Sequence, residues 1–369
     1  MRLGVATALV DGGLVPGDVI VEEGAISEVG VAPGAPGGLA VPGFVDLQVN
    51  GFAGVDFLSA DVDDYREAGR ALAATGVTAF QPTFITSPLE AYWTPLKTVA
   101  ALEHDGGPRV LGVHLEGPFI SPSWPGAHRA DHVLEPNLEI ADQLCAAGPV
   151  TYMTVAPERA GGLELIAHLV NRGIVVACGH SDADAEVARR AYDSGARALT
   201  HIYNAQRRWK PRDPGIAGVA LTRSDVVVQA IVDHVHLAPE TAHAAFLGTR
   251  GRFCLVTDAT AATALDHGTY NLGDRVVRVE GAEARLEDGT LAGSLLTMDQ
   301  AVRNLVDLGA SIEDAVDAAT RVPARLVGRY DLGSLAVGSP ADVVVLDDVL
   351  GVQRTLIDGK EVFVRKGTS

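Results

Sequence analysis

Through the middle of the chain, continuous runs of apolar and often β-branched residues alternate with amphipathic stretches. Eight of these runs are strand candidates, and their near-continuous hydrophobicity is typical of strands that are buried on both faces. They cover residues 44–50, 77–83, 110–116, 150–155, 174–180, 198–201, 226–233 and 253–258. Helical periodicity separates many of them, as in residues 182–194 and 240–247. Eight alternating strands and helices predict an α/β fold, a (β/α)8 barrel of the TIM type.

The two ends of the chain have shorter strands and tight turns. Residues 19–29 alternate weakly around a Glu23-Gly24 turn, and residues 354–364 contain an Asp358-Gly359 turn, which is a strong hairpin signal. We therefore expect a small β-sandwich domain formed by both chain termini. Its predicted extent is residues 1–42 and 333–369, and that of the barrel domain is residues 43–332.

Three connecting segments complete the prediction. Pro- and Gly-rich residues 33–38 separate the first strands from the barrel. Residues 268–289 predict a β-hairpin excursion after the eighth strand, and residues 298–308 and 312–327 predict two helices that lead back to the terminal strands.

Composition and charge narrow the function. The 369 residues are 47% hydrophobic and carry a net charge of 29 − 47 = −18, which argues against nucleic acid or an anionic membrane as a partner. No run approaches the length of a membrane span, and the start of the chain lacks a signal peptide's apolar core. The widely spaced Cys145, Cys178 and Cys254 suit a reducing compartment, so we expect a cytoplasmic protein. Cys178 and Cys254 are interpreted as small core residues rather than nucleophiles.

Four strand candidates end in residues whose side chains can ligate a metal ion or transfer a proton. These residues are Glu116, His180, His201 and Asp258. The strand ends of a parallel barrel converge at one face, and His180 and His201 are 21 residues apart, about one strand–helix–strand unit. Two His and one Glu with an open position are typical of a catalytic Zn²⁺ site. We expect one divalent ion, Zn²⁺ first and Fe²⁺, Mn²⁺ or Co²⁺ as alternatives. The competing interpretation of each residue is an ordinary polar loop side chain.

Asp258 is the candidate general base and acid. A carboxylate beside a cation-activated water can take its proton and later protonate a departing amine. The alternative role is that of a helix N-cap. Ser121 and Ser181 lack the context of a nucleophile elbow, so covalent serine catalysis is not expected.

Eight motifs extend in order over nearly the whole chain. They are PGFVDLQVNG (42–51), HLEGP (114–118), GAH (126–128), GHS (179–181), THIYNA (200–205), PGIAG (214–218), LVTDAT (255–260) and GTLAGSLLTM (289–298). Together they resemble the N-acetylglucosamine-6-phosphate deacetylase family of the amidohydrolase superfamily. The resemblance implies Glu116, His180 and His201 as metal ligands.

The resemblance also implies a set of substrate contacts. His128 would polarise the acetyl carbonyl or bind sugar hydroxyls, the alternative being an exposed loop histidine. Asn204 and Ala205 would contact sugar or phosphate through an amide and a backbone N–H. His236 would bind the phosphate, and Arg212 would reach the active site of the neighbouring subunit, so a homodimer is implied.

The sequence departs from the superfamily at the first strand. Many amidohydrolases have His-x-His there and bind a second metal, whereas this chain has Gln48-Val-Asn50. Amides are poor ligands for soft divalent metals beside imidazole. We therefore predict one metal, with a weak second position at Gln48 as the alternative.

A second departure lies in the loop after Ala205. The family commonly has Asn-Ala-Met followed by Pro, but here Gln206, Arg207, Arg208 and Trp209 follow. The arginines, together with Lys210, either serve the phosphate or form a solvated face. Trp209 either stacks on the sugar or packs at the dimer contact.

The resulting hypothesis is an amide hydrolase. Its implied substrate is the acetamide of N-acetyl-D-glucosamine 6-phosphate, a small sugar phosphate. The alternatives are a deacetylase for N-acetylgalactosamine 6-phosphate or another N-acyl sugar, and a non-catalytic sugar-phosphate sensor on the same fold. Asp258 retained beside a full ligand set argues against the sensor.

Overall fold

The fold was analysed in a computed structural model, which describes residues 1–32 and 37–366. Its strands are β1 (Thr7–Val10), β2 (Gly13–Pro16), β3 (Asp18–Glu22), β4 (Ala25–Val31), β5 (Leu39–Pro42), β6 (Phe44–Val49), β7 (Gly51–Phe52), β8 (Val55–Asp56), β9 (Val77–Ile85), β10 (Arg109–Val110), β11 (Val113–Glu116), β12 (Val150–Val155), β13 (Val175–Cys178), β14 (Ala198–Leu199), β15 (Val227–Ala230), β16 (Phe253–Leu255), β17 (Gly268–Leu272), β18 (Arg275–Glu280), β19 (Glu283–Arg285), β20 (Val343–Leu346), β21 (Val352–Ile357) and β22 (Lys360–Val364). Its α-helices are α1 (Val62–Ala73), α2 (Leu89–Ala100), α3 (Leu138–Ala147), α4 (Gly162–Asn171), α5 (Ala185–Asp193), α6 (Gly215–Thr222), α7 (Pro239–Gly248), α8 (Met298–Asp307), α9 (Ile312–Ala319) and α10 (Arg321–Leu326).

The predicted barrel is confirmed. Strands β6, β9, β11, β12, β13, β14, β15 and β16 pair in parallel in that order. The backbone N–H of Asp258 donates to the carbonyl oxygen of Gln48 at 2.9 Å, and a bridge between Val49 and Ala259 lies beside it. These contacts link the last strand to the first. The ends of all eight strands therefore surround one opening.

Two of the helices outside the barrel, α3 and α5, begin at polar residues whose side chains cap the first turn. The side chain of Asp184 accepts the backbone N–H groups of Glu186 and Val187 at the start of α5, and Asn137 accepts that of Ile140 at the start of α3. The buried residues of α5, Ala188, Ala191 and Tyr192, lie on the barrel side, in agreement with its predicted periodicity.

The two chain ends share one sheet. Its order is β2-β1-β5-β20-β21-β22, and the antiparallel pair β5–β20 joins the start of the chain to its end. Both predicted turns have a left-handed backbone, with φ of 49° at Glu23 and 49° at Asp358, each followed by a glycine of positive φ. The domain limits proposed above remain a prediction, and most of the segment 33–38 lies outside the described residues.

One helix prediction was wrong in detail. Residues 312–327 form two helices, because α9 ends at Ala319 and α10 begins at Arg321. Pro323 has no N–H to donate to the Ala319 carbonyl, so the helical ladder is interrupted there. The excursion after β16 has three strands, β17–β18–β19, rather than a single hairpin.

Burial supports the interpretation of the cysteines. Cys178 and Cys254 are fully buried in the core, and burial raises the pKa of both thiols. They are therefore poor nucleophiles at neutral pH. Among the described residues, no helix is both long and apolar enough to cross a membrane.

Candidate active site

Three predicted ligands meet at the barrel opening. Glu116 ends β11, while His180 and His201 follow β13 and β14 by two residues. The Glu116 carboxylate Oε1 lies 3.2 Å from His180 Nε2 and 2.9 Å from His201 Nε2. The two imidazole nitrogens are 3.1 Å apart. The three side chains are buried and form a group that could hold a metal ion.

A hydrogen bond behind the group directs the electron pair of His180 into it. The Nδ1 of His180 lies 3.0 Å from the backbone oxygen of Trp124, which can only accept, so Nδ1 carries the proton. The Nε2 atom of His180 therefore presents a lone pair toward His201 and Glu116. The lone pair of His180 and the carboxylate of Glu116 thus face the same point, and this combination of donors suits a divalent cation.

Glu116 carries the negative charge of this group. Burial alone would raise the pKa of its carboxyl, but the hydrogen bond from His128 and the close imidazoles of His180 and His201 hold the pKa well below its usual range. Glu116 is thus ionised throughout the neutral pH range, which is the state needed to ligate a cation.

Asp258 lies in the same opening but outside the ligand group. Its Oδ1 accepts an amide N–H from Asn50 at 2.6 Å and one from Gln48 at 3.2 Å. Burial, and then the charge of Glu116, raise the pKa of Asp258 to about 6. A carboxyl that titrates near neutral pH is suited to accept a proton and to return it.

Gln48 faces two carboxylates. Its Nε2 donates to Glu116 Oε1 at 2.8 Å as well as to Asp258. Both neighbours are acceptors, so the amide turns its N–H groups toward them rather than its oxygen. This orientation disfavours the alternative of a second cation at Gln48.

His128 is buried, and not the exposed loop residue of the alternative interpretation. The backbone N–H of Thr86 donates to its Nδ1 at 3.2 Å, which places the remaining proton on Nε2. Burial, which penalises the charged form, is the main cause that lowers the pKa of His128 to about 4. The result is a neutral imidazole whose Nε2–H, now 3.2 Å from Glu116 Oε2, can donate to an oxygen in the site.

The backbone at the strand ends is unusual. His180, His201 and Asp258 have φ values of 46°, 24° and 51°, in the left-handed region that residues with a Cβ seldom adopt. The chain turns sharply at each of these positions, so that strand-end side chains enter the opening. Such local strain at chemistry-bearing residues is common in active sites.

A cavity of about 400 Å³ extends from the ligand group, and Asn204, Ala205 and His236 line it. Asp233 holds His236 in place: its Oδ2 lies 2.7 Å from His236 Nδ1. The other ring nitrogen of His236 is thereby left for the cavity. Arg212 is exposed and does not line this cavity.

Three cavities elsewhere among the described residues have larger volumes, about 440, 570 and 620 Å³. None of the three is lined by the buried Glu116, His180 and His201 group. Chemistry rather than size therefore selects the smaller cavity as the site.

Sequence reasoning missed several residues of the site. Trp124 precedes the Gly126–His128 motif, lines the cavity and donates its indole N–H to Asp182 Oδ1 at 2.9 Å. Asn50 was noted only as a departure from His-x-His, although it contacts Asp258. The hydrogen bond between Asp233 and His236 could have been inferred from the spacing of three residues between them.

Known proteins of similar sequence and structure identify the family of this chain. The sequence profile of the amidohydrolase family matches residues 39–362. The N-acetylglucosamine-6-phosphate deacetylase of Bos taurus is 40% identical over 347 residues, which cover 89% of this chain and 84% of that protein. The N-acetylgalactosamine-6-phosphate deacetylase of Escherichia coli O157:H7 is 37% identical and covers 87% of each chain. In structure, the chain superposes with a TM-score of 0.94 on a Mycobacterium smegmatis N-acetyl-D-glucosamine-6-phosphate deacetylase, an aspartate-to-alanine mutant in complex with N-acetyl-D-glucosamine 6-phosphate, at 34% identity and 99% coverage of both chains.

Proposed function

Because the chain belongs to the amidohydrolase family, and within it to the N-acetylglucosamine-6-phosphate deacetylases, we propose separate metal-binding, proton-transfer and substrate-binding roles for the residues of its barrel opening. The enzyme hydrolyses the acetamide of N-acetyl-D-glucosamine 6-phosphate to acetate and glucosamine 6-phosphate. The observation that supports the assignment of roles is the grouping of Glu116, His180 and His201, with Asp258 beside them but held by other partners.

Glu116, His180 and His201 would hold one divalent cation, with Zn²⁺ the expected ion. Bound there, such an ion supplies Lewis-acid chemistry: it makes water more acidic and polarises a carbonyl. The fit rests on the chemistry of the donors, two imidazole nitrogens and one ionised carboxylate oxygen.

Asp258 would move the proton. Its Oδ1 is occupied by Asn50 and Gln48, so Oδ2 is the oxygen left for the reacting groups. The attacking water gives a proton to Asp258 as its oxygen bonds to the acetyl carbon. Asp258 then passes this proton to the amide nitrogen while the C–N bond breaks, which releases the amine.

His128 would stabilise the charge that develops on the acetyl oxygen. Its Nε2–H is fixed by the Thr86 N–H on the opposite ring nitrogen, so the donor is oriented before the substrate arrives. A preoriented donor in a buried site strengthens its hydrogen bond as the oxygen becomes negative.

The phosphate end of the substrate would lie at Asn204, Ala205 and His236. Arg212 would come from a second subunit, in keeping with its exposure and its position outside the cavity of its own chain. Light scattering tests this homodimer, and a strictly monomeric active enzyme would contradict it.

Asp258→Asn tests the assignment of the proton carrier. We expect the purified variant to retain its metal, measured by elemental analysis, but to lose about 10²- to 10⁴-fold in kcat, which is the usual contribution of general acid–base catalysis. The matched control is Asp266→Asn, the same change at an exposed aspartate. Near-normal acetate release from Asp258→Asn would overturn the role.

A further inference from the structure

The loop after Ala205 carries two adjacent arginines with different surroundings. The guanidinium of Arg207 is bonded to other residues of the chain. Its Nε lies 3.0 Å from Asp213 Oδ2, and its Nη1 donates to the backbone oxygen of Asp182 at 3.2 Å. Arg208 forms neither a salt bridge nor a hydrogen bond with any residue that the structure describes. Arg207 therefore stabilises the loop, whereas the N–H groups of Arg208 are left to bind a ligand.

Arg208 is held at the active-site cavity by an aromatic ring. Its guanidinium carbon lies 5.9 Å from the centre of the Trp124 ring, within the range of a cation–π contact. Asp182 lies beside this contact: it accepts the indole N–H of Trp124 and binds Arg207, the residue before Arg208 in the chain. Stacking uses the face of a guanidinium and leaves its N–H donors free at the edge.

The cavity has a shortage of positive charge. Among the described residues that line it, Arg208 is the single Arg or Lys, whereas Glu116 and Asp258 contribute carboxylates. The chain as a whole carries a net charge of −18. A dianionic phosphate entering this cavity needs a fixed cation, and among the described lining residues of the same chain Arg208 is the one that carries a permanent positive charge.

We infer that Arg208 supplies, from the same subunit, the fixed positive charge that recognises the phosphate of the substrate, an inference that rests on the deacetylase function proposed above. Arg208 is thus a specificity residue, remote from the acetyl group. It selects phosphorylated over neutral amino sugars, and its N–H edge gives the phosphate a forked hydrogen-bonding partner.

Steady-state kinetics on two substrates tests the inference. Wild type, Arg208→Ala and Arg208→Lys are compared on N-acetylglucosamine 6-phosphate and on unphosphorylated N-acetylglucosamine. We expect Arg208→Ala to raise KM for the phosphorylated sugar about 10- to 100-fold with little change in kcat, since a hydrogen bond to a charged group contributes about 1.5–3 kcal/mol. The value of kcat/KM for the neutral sugar should not change, and Arg208→Lys should recover part of the loss. Lys210→Ala, which removes an exposed charge from the same loop, is the control.

Other outcomes are decisive. An equal loss on both sugars would mean that Arg208 only supports the loop, and an unchanged KM for the phosphorylated sugar would also overturn the inference. Calorimetric titration of glucosamine 6-phosphate and glucosamine into wild type and Arg208→Ala measures phosphate recognition without turnover. If wild type releases no acetate, the deacetylase function is wrong, while this titration still decides the role of Arg208.

Discussion

The two sides of the barrel opening differ in what they present to its centre. The side formed by the ends of β11, β13 and β14 presents electron pairs, from Glu116, His180 and His201. The side formed by the end of β6 presents amide N–H groups, from Gln48 and Asn50. An electron-pair side attracts a cation, and an N–H side attracts a carboxylate. This contrast suits the proposed arrangement, in which one metal ion binds the first side and Asp258 stays separate from it on the second.

The largest expected effect comes from breaking the electron-pair side. His201→Ala removes one of three donors, so the variant should lose most of its bound metal and at least about 10³-fold in kcat/KM, because a Lewis acid contributes several kcal/mol to the transition state. Elemental analysis and acetate release measure the two losses. His267→Ala, at an exposed histidine, serves as the control. Full metal content in His201→Ala would show that this side is not the metal site.

An intermediate effect is expected from the N–H side. Asn50→Ala removes the 2.6 Å hydrogen bond to Asp258 Oδ1, and we expect kcat to fall about 10- to 100-fold with unchanged metal content. This hydrogen bond favours the ionised carboxylate and lowers its pKa. Its loss should therefore move the acid limb of the pH–rate profile to higher pH. A profile that keeps its midpoint would show that Asn50 does not act on Asp258.

The smallest effect is expected from a change at Gln48, which tests how many metal ions each subunit binds. Gln48→Ala removes a donor to both Glu116 and Asp258, so kcat should fall about 10-fold, while metal titration should still give one ion per subunit. Two ions in wild type and one in Gln48→Ala would restore the alternative of a second site.

Much of this opening was predictable because strand ends are readable in the sequence. Glu116, His180 and His201 each follow an apolar run, and parallel strands bring such ends together whatever the loops do. Contacts between loops were not predictable in the same way. Trp124 meets Arg208 beside Asp182, which is distant from Trp124 in the chain and binds both Trp124 and Arg207, the residue before Arg208.

The helices and the Gln48 amide also separate what the sequence predicts from what it does not. The periodicity of residues 312–327 was read correctly as helical, but the interruption after Ala319 depends on one residue, Pro323. Its effect could have been deduced from the sequence. The orientation of the Gln48 amide could not, because it depends on which side chains face it from β11 and from the residues after β16.

Asp258 also serves the barrel with its main chain, since its N–H bonds the Gln48 carbonyl where the last strand meets the first. Replacing the side chain of Asp258 leaves this backbone hydrogen bond intact. Inserting or deleting a single residue here would both displace the proposed proton carrier and break the contact between the last strand and the first. In a scan of one-residue insertions across the whole chain, this short stretch should be among the least tolerant places, even though it lies just beyond the end of a strand.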